Sequence, residues 1–319
     1  MTGIPDKSSI EQAAHRIHNY IHHTPVLTSE NLNTLTGAEI FFKCENFQKA
    51  GAFKSRGATN TVFSLSEVEI KKGVCTHSSG NHAAALSRAA KLRNAKAFIV
   101  MPESSSRVKI AAVKQYGGVI TFCESTLASR ESTLAMIKQE TGSVEIHPYN
   151  DYRIIAGQAT AAKELLESVS QLELVMAPVG GGGLLSGTSL ACNYFSSGTK
   201  VIAAEPKGAD DAFRSYYGQT LVPSVNPKTI ADGLLTSLGS LTFPIIQNSV
   251  HQIVTVGEEG IIAAMKLIWE RMKILIEPSS AVPFAAILEN KFEHKGKRIG
   301  IILSGGNVDL EKIPWYLPH

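Results

Sequence analysis

The stretch LELVMAPVGGGGLLSG, residues 172–187, decides the fold class, because a strand-like run, a glycine run and a possible helix start follow one another directly. The run 172–180 is apolar and has the length of a strand, and Gly180–Gly183 come at its end. Short apolar runs that end in glycine are typical of strands buried on both faces, as in parallel sheets. The stretch therefore predicts one strand–loop–helix unit of an α/β protein.

The rest of the chain repeats this alternation of strand and helix. Further strand-like runs are AEIFFKCE (38–45), GVCTHS (73–78), KAFIVMP (96–102), GVITFC (118–123), KVIAAEP (200–206) and RIGIILSGG (298–306). Helix-like segments lie between them, at 81–93, 105–116, 126–141, 155–169 and 258–272. The pattern predicts parallel sheets covered by helices, and 319 residues are enough for two domains.

Composition excludes several classes of function. The chain is 44% hydrophobic and 18% charged with a net charge of +3, which argues against nucleic acid or an anionic membrane as the main partner. We find no apolar run long enough to span a membrane and no signal-peptide core. The four cysteines are far apart and form no zinc motif. A cytoplasmic location is the expectation.

Gly180–Gly183 predict a phosphate site. Consecutive glycines let backbone N–H groups point into one concavity, and a helix N-terminus adds to the attraction for an anion. The run is neither a dinucleotide fingerprint nor a nucleotide P-loop, so a small phosphorylated cofactor fits better. A flexible turn without a ligand is the alternative.

The segment GAFKSRGATN, residues 51–60, predicts a reactive lysine. Lys54 lies between two glycines, among small residues that suit a tight turn rather than a solvated helix face. A lysine and a phosphate site together suggest pyridoxal phosphate held as a Schiff base. By the residues alone, Lys43 and Lys49 stay open as alternatives.

Six motifs in order give a resemblance that covers nearly the whole chain. They are KCENFQKAGAFKSRGA (43–58), HSSGNHAA (77–84), PVGGGG (178–183), AAEPKGADD (203–211), ERMKILIEPSSA (270–281) and LSGGNVD (303–309). The chain resembles the fold-type II pyridoxal-phosphate enzymes, and within them serine racemase and its dehydratase relatives. This resemblance implies a tryptophan synthase beta-like fold of two open, twisted α/β domains with the cofactor in the cleft between them. Residues 1–50 and 147–319 would form the large domain and 51–146 the small one.

The same resemblance implies the cofactor contacts. Lys54 would be the Schiff-base lysine, with Ala52 standing where relatives often have serine. Asn81 would hydrogen-bond the ring hydroxyl, and Gly180, Gly181, Gly182 and Gly183 would hold the phosphate. Ser304 would bond the pyridine nitrogen, where a neutral hydroxyl makes a weaker electron sink than a carboxylate.

The SSGNH loop is expected to contact the substrate. Ser78, Ser79, Asn81 and His82 are expected to bind the substrate carboxylate at a helix N-terminus, although His82 could also have no chemical role there. Racemisation needs a second acid/base on the face opposite Lys54, and Ser79 is the candidate. Serine racemases of the family carry SSGNH, whereas its threonine dehydratases commonly carry SAGNH. Ser79 could instead only line the pocket, because some hydroxyaspartate dehydratases share it.

The expected activity is therefore serine racemisation together with elimination of ammonia, giving pyruvate from serine and 2-oxobutanoate from threonine. By the resemblance, Arg130 aligns with an arginine that serine racemases place near the substrate side chain. Pairing of this arginine with a second carboxylate would favour an L-threo-3-hydroxyaspartate ammonia-lyase, while a surface role is equally open. Thr236 stands where racemases tend to have serine. A threonine ammonia-lyase is the third possibility.

The motif AAEPKGADD matches the family's divalent-cation site. Glu205, the carbonyl of Ala209 and Asp211 would be the ligands, with water completing the shell. Such oxygen ligands suit Mg²⁺, Mn²⁺ or Ca²⁺. The metal is expected to be structural, and a plain polar loop is the alternative.

A homodimer is expected from the family, and ATP activation is expected to be weak or absent. Positions that match the nucleotide site of mammalian-type racemases are Lys49, Tyr116, Lys273 and Asn307. Positions that depart from it are Glu30, Asn31, Ala50 and Ala84, which replace serine, isoleucine, threonine and glutamine. The lost hydroxyl and amide and the added negative charge should weaken nucleotide binding.

Two readings from other classes remain. A non-catalytic cofactor-binding or sensor protein could use the same scaffold. A phosphosugar or nucleotide enzyme on an unrelated α/β fold would also explain the glycine run, but not Lys54 together with Ser304.

Overall fold

The structure, a computed structural model, describes residues 3–78, 80–105 and 107–315. It contains two open sheets with helices on both faces. The helices are α1 Lys7–Ile17, α2 Glu30–Thr36, α3 Lys54–Ser64, α4 Glu67–Lys71, α5 Asn81–Leu92, α6 Arg107–Gln115, α7 Leu127–Thr141, α8 Tyr152–Ser168, α9 Gly183–Phe195, α10 Asp211–Gly218, α11 Thr242–Ser249, α12 Glu258–Met272 and α13 Pro278–Leu288. The strands are β1 Val26–Leu27, β2 Glu39–Cys44, β3 Val74–His77, β4 Ala97–Pro102, β5 Val119–Cys123, β6 Val144–Glu145, β7 Leu174–Pro178, β8 Lys200–Pro206, β9 Gln252–Val256 and β10 Arg298–Leu303.

The larger sheet has the strand order β1-β2-β10-β7-β8-β9. The short β1 is antiparallel to β2, and the other neighbours are parallel. Successive residues of β7 point to opposite faces and join different apolar clusters: Met176 packs with α12 and α13, while Val175 packs with α8 and α9. Both faces are therefore buried, which explains why the strands read as continuous apolar runs.

The smaller sheet has the order β5-β4-β3-β6, and all its neighbours are parallel. Ile99 of β4 packs with helices α3 and α5 on one face. Val100 and Cys75 pack with α7 on the other. The predicted α/β class is confirmed, since all seven predicted strands lie in one of the two sheets. The four strands of the smaller sheet fall inside 51–146, while the domain boundaries themselves stay a prediction.

Local signals explain where several helices begin and end. Asp6, Ser29, Thr126 and Asp151 accept backbone N–H bonds at the starts of α1, α2, α7 and α8. Ser66 and Glu69 form a reciprocal capping box on α4.

No helix in the described parts of the chain combines the length and the apolar character that crossing a bilayer requires.

Candidate active site

A cavity of about 640 Å³ lies where loops after strands of both sheets meet. Ser78 follows β3 of the smaller sheet, while Gly180 and Ser304 follow β7 and β10 of the larger one. Ligands of open α/β sheets bind at such carboxyl ends. The predicted residues that line the cavity are Lys54, Ser78, Asn81, His82, Arg130, Gly180, Gly181, Gly182, Gly183, Thr236 and Ser304. Ser79 lies outside the described residues.

Lys54 is the first residue of α3 and not part of a loop, which corrects the expectation from its glycine-rich surroundings. The turn is confined to Ala50 and Gly51, both with positive φ. The Lys54 amine donates a hydrogen bond to the carbonyl of Pro148 at 2.9 Å. Enclosure by the cavity walls lowers the pKa of Lys54 to about 8, although the negative charge of Glu277 opposes the shift. A lysine with such a pKa can act as a base near neutral pH.

A buried ionic cluster anchors the first turn of α3. Arg56, two residues after Lys54, is fully buried and binds Glu45 and Glu164, with 2.7 Å from nitrogen to oxygen in each ion pair. Lys43 binds Glu164 at 2.6 Å in the same cluster. Lys43 is therefore engaged away from the cavity, which favours Lys54 over it as the reactive lysine.

The glycine run is packed so closely that larger residues do not fit. A Cβ at Gly181 would lie 2.3 Å from the ring of Tyr149, and one at Gly180 would lie 2.9 Å from the Cα of Leu234. Gly182 has a φ of +87°, and Gly183 begins the 13-residue helix α9. The residues fit a phosphate group, because the loop brings backbone and a helix N-terminus to the cavity without side chains in between.

Asn81 begins α5 and is held from both sides. Its Nδ2 lies 3.0 and 3.1 Å from the two carboxylate oxygens of Glu277, and its Oδ1 accepts a bond from Asn307 at 2.9 Å. Sequence reasoning missed Glu277, although the quoted motif ERMKILIEPSSA contains it. Burial raises the pKa of Glu277 to about 7.

Ser304 is buried at the end of β10, where its hydroxyl lies 3.0 Å from that of Ser280. The Ser280 hydroxyl is also bonded to both the N–H and the carbonyl of Gly305, each at 2.7 Å. The backbone N–H of Phe53 donates to the carbonyl of Ser304 at 2.9 Å, which ties the residue before Lys54 to β10. Ser304 thus presents a neutral hydroxyl at the cavity.

His82 is fixed through its ring. Its Nε2 lies 3.1 Å from the carbonyl of Ile146 and is therefore the donor. Burial lowers the pKa of His82 to about 3, and burial also lowers that of His147 to about 4. Both imidazoles are neutral at pH 7, so they add no positive charge to this wall of the cavity.

Arg130 and Thr236 also line the cavity. The Nη2 of Arg130 donates to the carbonyl of Ser125 at 3.1 Å, while its Nε is buried without a partner in the described structure. A guanidinium has five N–H donors, so Arg130 keeps donors beyond this bond for a ligand in the cavity. Thr236 is exposed to the cavity near the hydroxyl of Tyr149.

Glu205, Ala209 and Asp211 lie outside this cavity, at the end of β8 and the start of α10. Glu205 accepts backbone N–H bonds from Ala212 and Phe213 at 2.9 and 2.7 Å. Both oxygens of Asp211 are buried, with the Ser224 hydroxyl as a neighbouring donor. Burial raises the pKa of Glu205 to about 9 and that of Asp211 to about 6. The two carboxylates fit a cation, which would compensate their charge. Among residues 3–78, 80–105 and 107–315, no three His, Cys, Asp or Glu side chains cluster as metal ligands.

Comparison with known proteins agrees with this arrangement. Residues 17–305 match the family model for pyridoxal-phosphate dependent enzymes. The chain is 53% identical to the beta-hydroxyaspartate dehydratase of Paracoccus denitrificans, an alignment that covers 98% of this chain and 99% of that one. It is 52% identical to the serine racemase of Dictyostelium discoideum, with 95% of each chain covered.

The crystal structure of the Dictyostelium discoideum serine racemase superposes with a TM-score of 0.92 at 50% identity, covering 96% of this chain and 99% of that one. The similarity in sequence and the similarity in fold thus both extend over nearly the full length of the chain. The chain therefore belongs to the fold-type II pyridoxal-phosphate dependent enzymes, in the group that contains serine racemases and hydroxyaspartate dehydratases.

Proposed function

We propose that the chain is a serine racemase that also eliminates ammonia from serine and threonine. The observation that carries the proposal is the meeting of Lys54, the glycine run and Ser304 around one cavity. Lys54 would hold pyridoxal phosphate, with Gly180–Gly183 on its phosphate and Ser304 and Asn81 on its ring. When bound, the cofactor withdraws electrons from Cα of the amino acid, so that the Cα proton becomes acidic.

The chain's own residues then decide what happens to that proton. The Lys54 amine accepts it at Nζ from one face of the substrate. Ser79 returns a proton from the opposite face, which inverts Cα. Loss of the β-hydroxyl as water from the same deprotonated substrate gives a dehydrated amino acid instead, and addition of water to this product releases ammonia and the oxoacid. The segment from Ser78 to His82, which leads into α5 at Asn81, would bind the substrate carboxylate through backbone N–H groups.

A substrate panel tests the proposal. The holoenzyme is offered L-serine, D-serine, L-threonine and L-threo-3-hydroxyaspartate in separate reactions, and chiral products and oxoacids are quantified. We expect D-serine and pyruvate from L-serine, and 2-oxobutanoate from threonine. If only 3-hydroxyaspartate is turned over, the chain is an ammonia-lyase for that substrate and not a serine racemase.

A second candidate function, ammonia-lyase activity on 3-hydroxyaspartate, is favoured by the position of the Arg130 guanidinium in the cavity wall. The 53% identity to a beta-hydroxyaspartate dehydratase supports the same candidate. A guanidinium pairs well with a second carboxylate, which serine does not have.

Arg130→Ala is expected to lower kcat/KM for 3-hydroxyaspartate about 10- to 100-fold, because a bond between charged groups is lost. The value for L-serine should change by less than about threefold. Arg130→Lys keeps the positive charge but loses the planar guanidinium that can bond both carboxylate oxygens. It serves as the control and should have an intermediate effect. An equal fall for both substrates would show that Arg130 does not select the second carboxylate.

A divalent cation, with Mg²⁺ first among Mg²⁺, Mn²⁺ and Ca²⁺, is proposed at Glu205, Asp211 and the Ala209 carbonyl. A bound ion stabilises the folded protein by mass action, so a hundredfold excess over Kd should raise Tm by roughly 5 °C. The effect should grow with pH, because both carboxyls have raised pKa values and must ionise to bind the ion.

Without the ion, the folded state must ionise carboxyls whose pKa values are raised. Its free energy of unfolding therefore falls as pH rises, and for Glu205 this fall continues up to about pH 9. Asp211→Asn should abolish the rise in Tm with Mg²⁺, whereas Asp210→Asn, at the half-buried neighbouring acid that pairs with Arg214, should keep it. Thermal melts with Mg²⁺ and with chelator check both variants. A full metal effect in Asp211→Asn would place the ion elsewhere.

A homodimer in the cytoplasm, with amino acids rather than nucleic acid or membranes as its ligands, completes the proposal. ATP activation is expected to be weak or absent because Ala50 and Ala84 lack the polar groups of mammalian-type racemases. A titration of activity with ATP checks this, and strong stimulation would refute it.

A further inference from the structure

Glu277 is a buried carboxylate in the cavity wall that the proposed roles leave unused. It immediately precedes α13, and its backbone N–H donates to the carbonyl of Gly305 at 3.0 Å. Its backbone is therefore held beside the end of β10. A buried charge is costly unless other groups compensate it, so the contacts of this carboxylate indicate what it does.

The first contact is with Asn81. Asn81 Nδ2 lies 3.0 and 3.1 Å from the two oxygens of Glu277, while Asn307 Nδ2 lies 2.9 Å from Asn81 Oδ1 and 2.8 Å from the carbonyl of Ala50. A flipped amide would turn its oxygen toward a carboxylate and its NH₂ toward a donor. Both changes are unfavourable, so Glu277 and Asn307 together select one orientation of Asn81.

The second contact is electrostatic. The negative charge of Glu277 raises the pKa of Lys54 against the larger lowering by burial. The other charged groups that act on Glu277 are Asp232 and Lys109, which form an ion pair with each other across the cavity. The neutral imidazoles of His82 and His147 complete the surroundings of Lys54.

We propose that Glu277 is a positioning residue that acts on two catalytic groups at once: it orients the Asn81 amide toward the cofactor ring, and its charge favours the protonated Lys54 amine. This inference rests on the proposed function for the role of Lys54 and Asn81. Glu277 itself transfers no proton in it.

The test measures uptake of pyridoxal phosphate by the cofactor-free protein, without any turnover. Only the unprotonated Lys54 amine adds to the cofactor's aldehyde carbon, and loss of water then forms the C=N bond. The rate of uptake, followed by absorbance, therefore rises with pH through the pKa of Lys54. We expect a midpoint near pH 8 for the wild type.

Glu277→Gln keeps an acceptor for Asn81 but removes the charge, and should move this midpoint about one unit lower. Glu277→Asp keeps the negative charge, but the shorter side chain moves the carboxylate away from the Asn81 amide. It should keep the midpoint and weaken cofactor affinity about tenfold, as should Asn307→Ala. Glu140→Gln, an exposed acid on α7, is the matched control and should change neither quantity.

An unchanged midpoint in folded Glu277→Gln would overturn the electrostatic effect, and wild-type affinity in both Glu277→Asp and Asn307→Ala would overturn the positioning. If Glu277→Gln does not fold, Glu277→Asp and Asn307→Ala still decide whether Glu277 positions Asn81. A wild type that takes up the cofactor with the expected midpoint but converts no amino acid would defeat the proposed function alone. A wild type that takes up no cofactor would defeat both.

Discussion

Lys54→Ala is expected to lower the rate of Cα proton exchange by about 10⁴-fold, the upper end of the contribution of a general base. The variant loses both the amine that holds the cofactor and the amine that receives the proton. Added methylamine should restore part of the activity, since it replaces the missing base. Exchange rates with and without the amine, measured on the cofactor-saturated variant, check this prediction.

Two further results follow from the environment of Lys54. Because the pKa of Lys54 is about 8 and the base must be unprotonated, kcat should rise with pH and level off above that value. Lys54→Arg should stay inactive, because a guanidinium keeps its proton. Activity of Lys54→Ala within tenfold of the wild type would assign the base to another residue.

Ser79→Ala should lower the formation of D-serine from L-serine at least about 100-fold while pyruvate formation stays within about tenfold. The reason is stereochemical, because Lys54 serves one face of Cα and inversion needs a proton donor on the other. The measurement is the ratio of D-serine to pyruvate at early times, determined from one reaction mixture.

Ser78→Ala is the matched control from the same loop. Ser78 is expected to bind the substrate carboxylate. The variant should therefore raise the KM for L-serine in both reactions and leave the ratio of D-serine to pyruvate unchanged. If Ser79→Ala lowers both products in parallel, Ser79 lines the pocket and the second base lies elsewhere.

Strands and the main site residues could be predicted from sequence because their signals are local. The run 172–180 shows both its strand and its glycine loop within a few residues, and β7 and α9 confirm them. Strand β9 was missed, although IVTV within Gln252–Val256 is rich in β-branched residues. The run is as long as β5, which was predicted, so the sequence could also have predicted β9.

The side chains that were missed act over long distances along the chain. Glu277 contacts Asn81 across 196 positions of the sequence. The Tyr149 ring leaves no room for a side chain at position 181, which becomes evident only in the folded structure. No local pattern encodes such contacts. Lys54 shows the opposite error: the glycines around it suggested a loop, but packing of α3 on α8 and the Arg56 cluster extend the helix to that residue.

The most direct measurement follows the Cα proton of L-serine by NMR in D₂O, with the holoenzyme and Mg²⁺. We predict that the Cα signal disappears while D-serine and pyruvate form from the same sample. Retention of the Cα proton in L-serine, and equally in L-threonine and L-threo-3-hydroxyaspartate, would contradict proton abstraction by Lys54 and with it the proposed function.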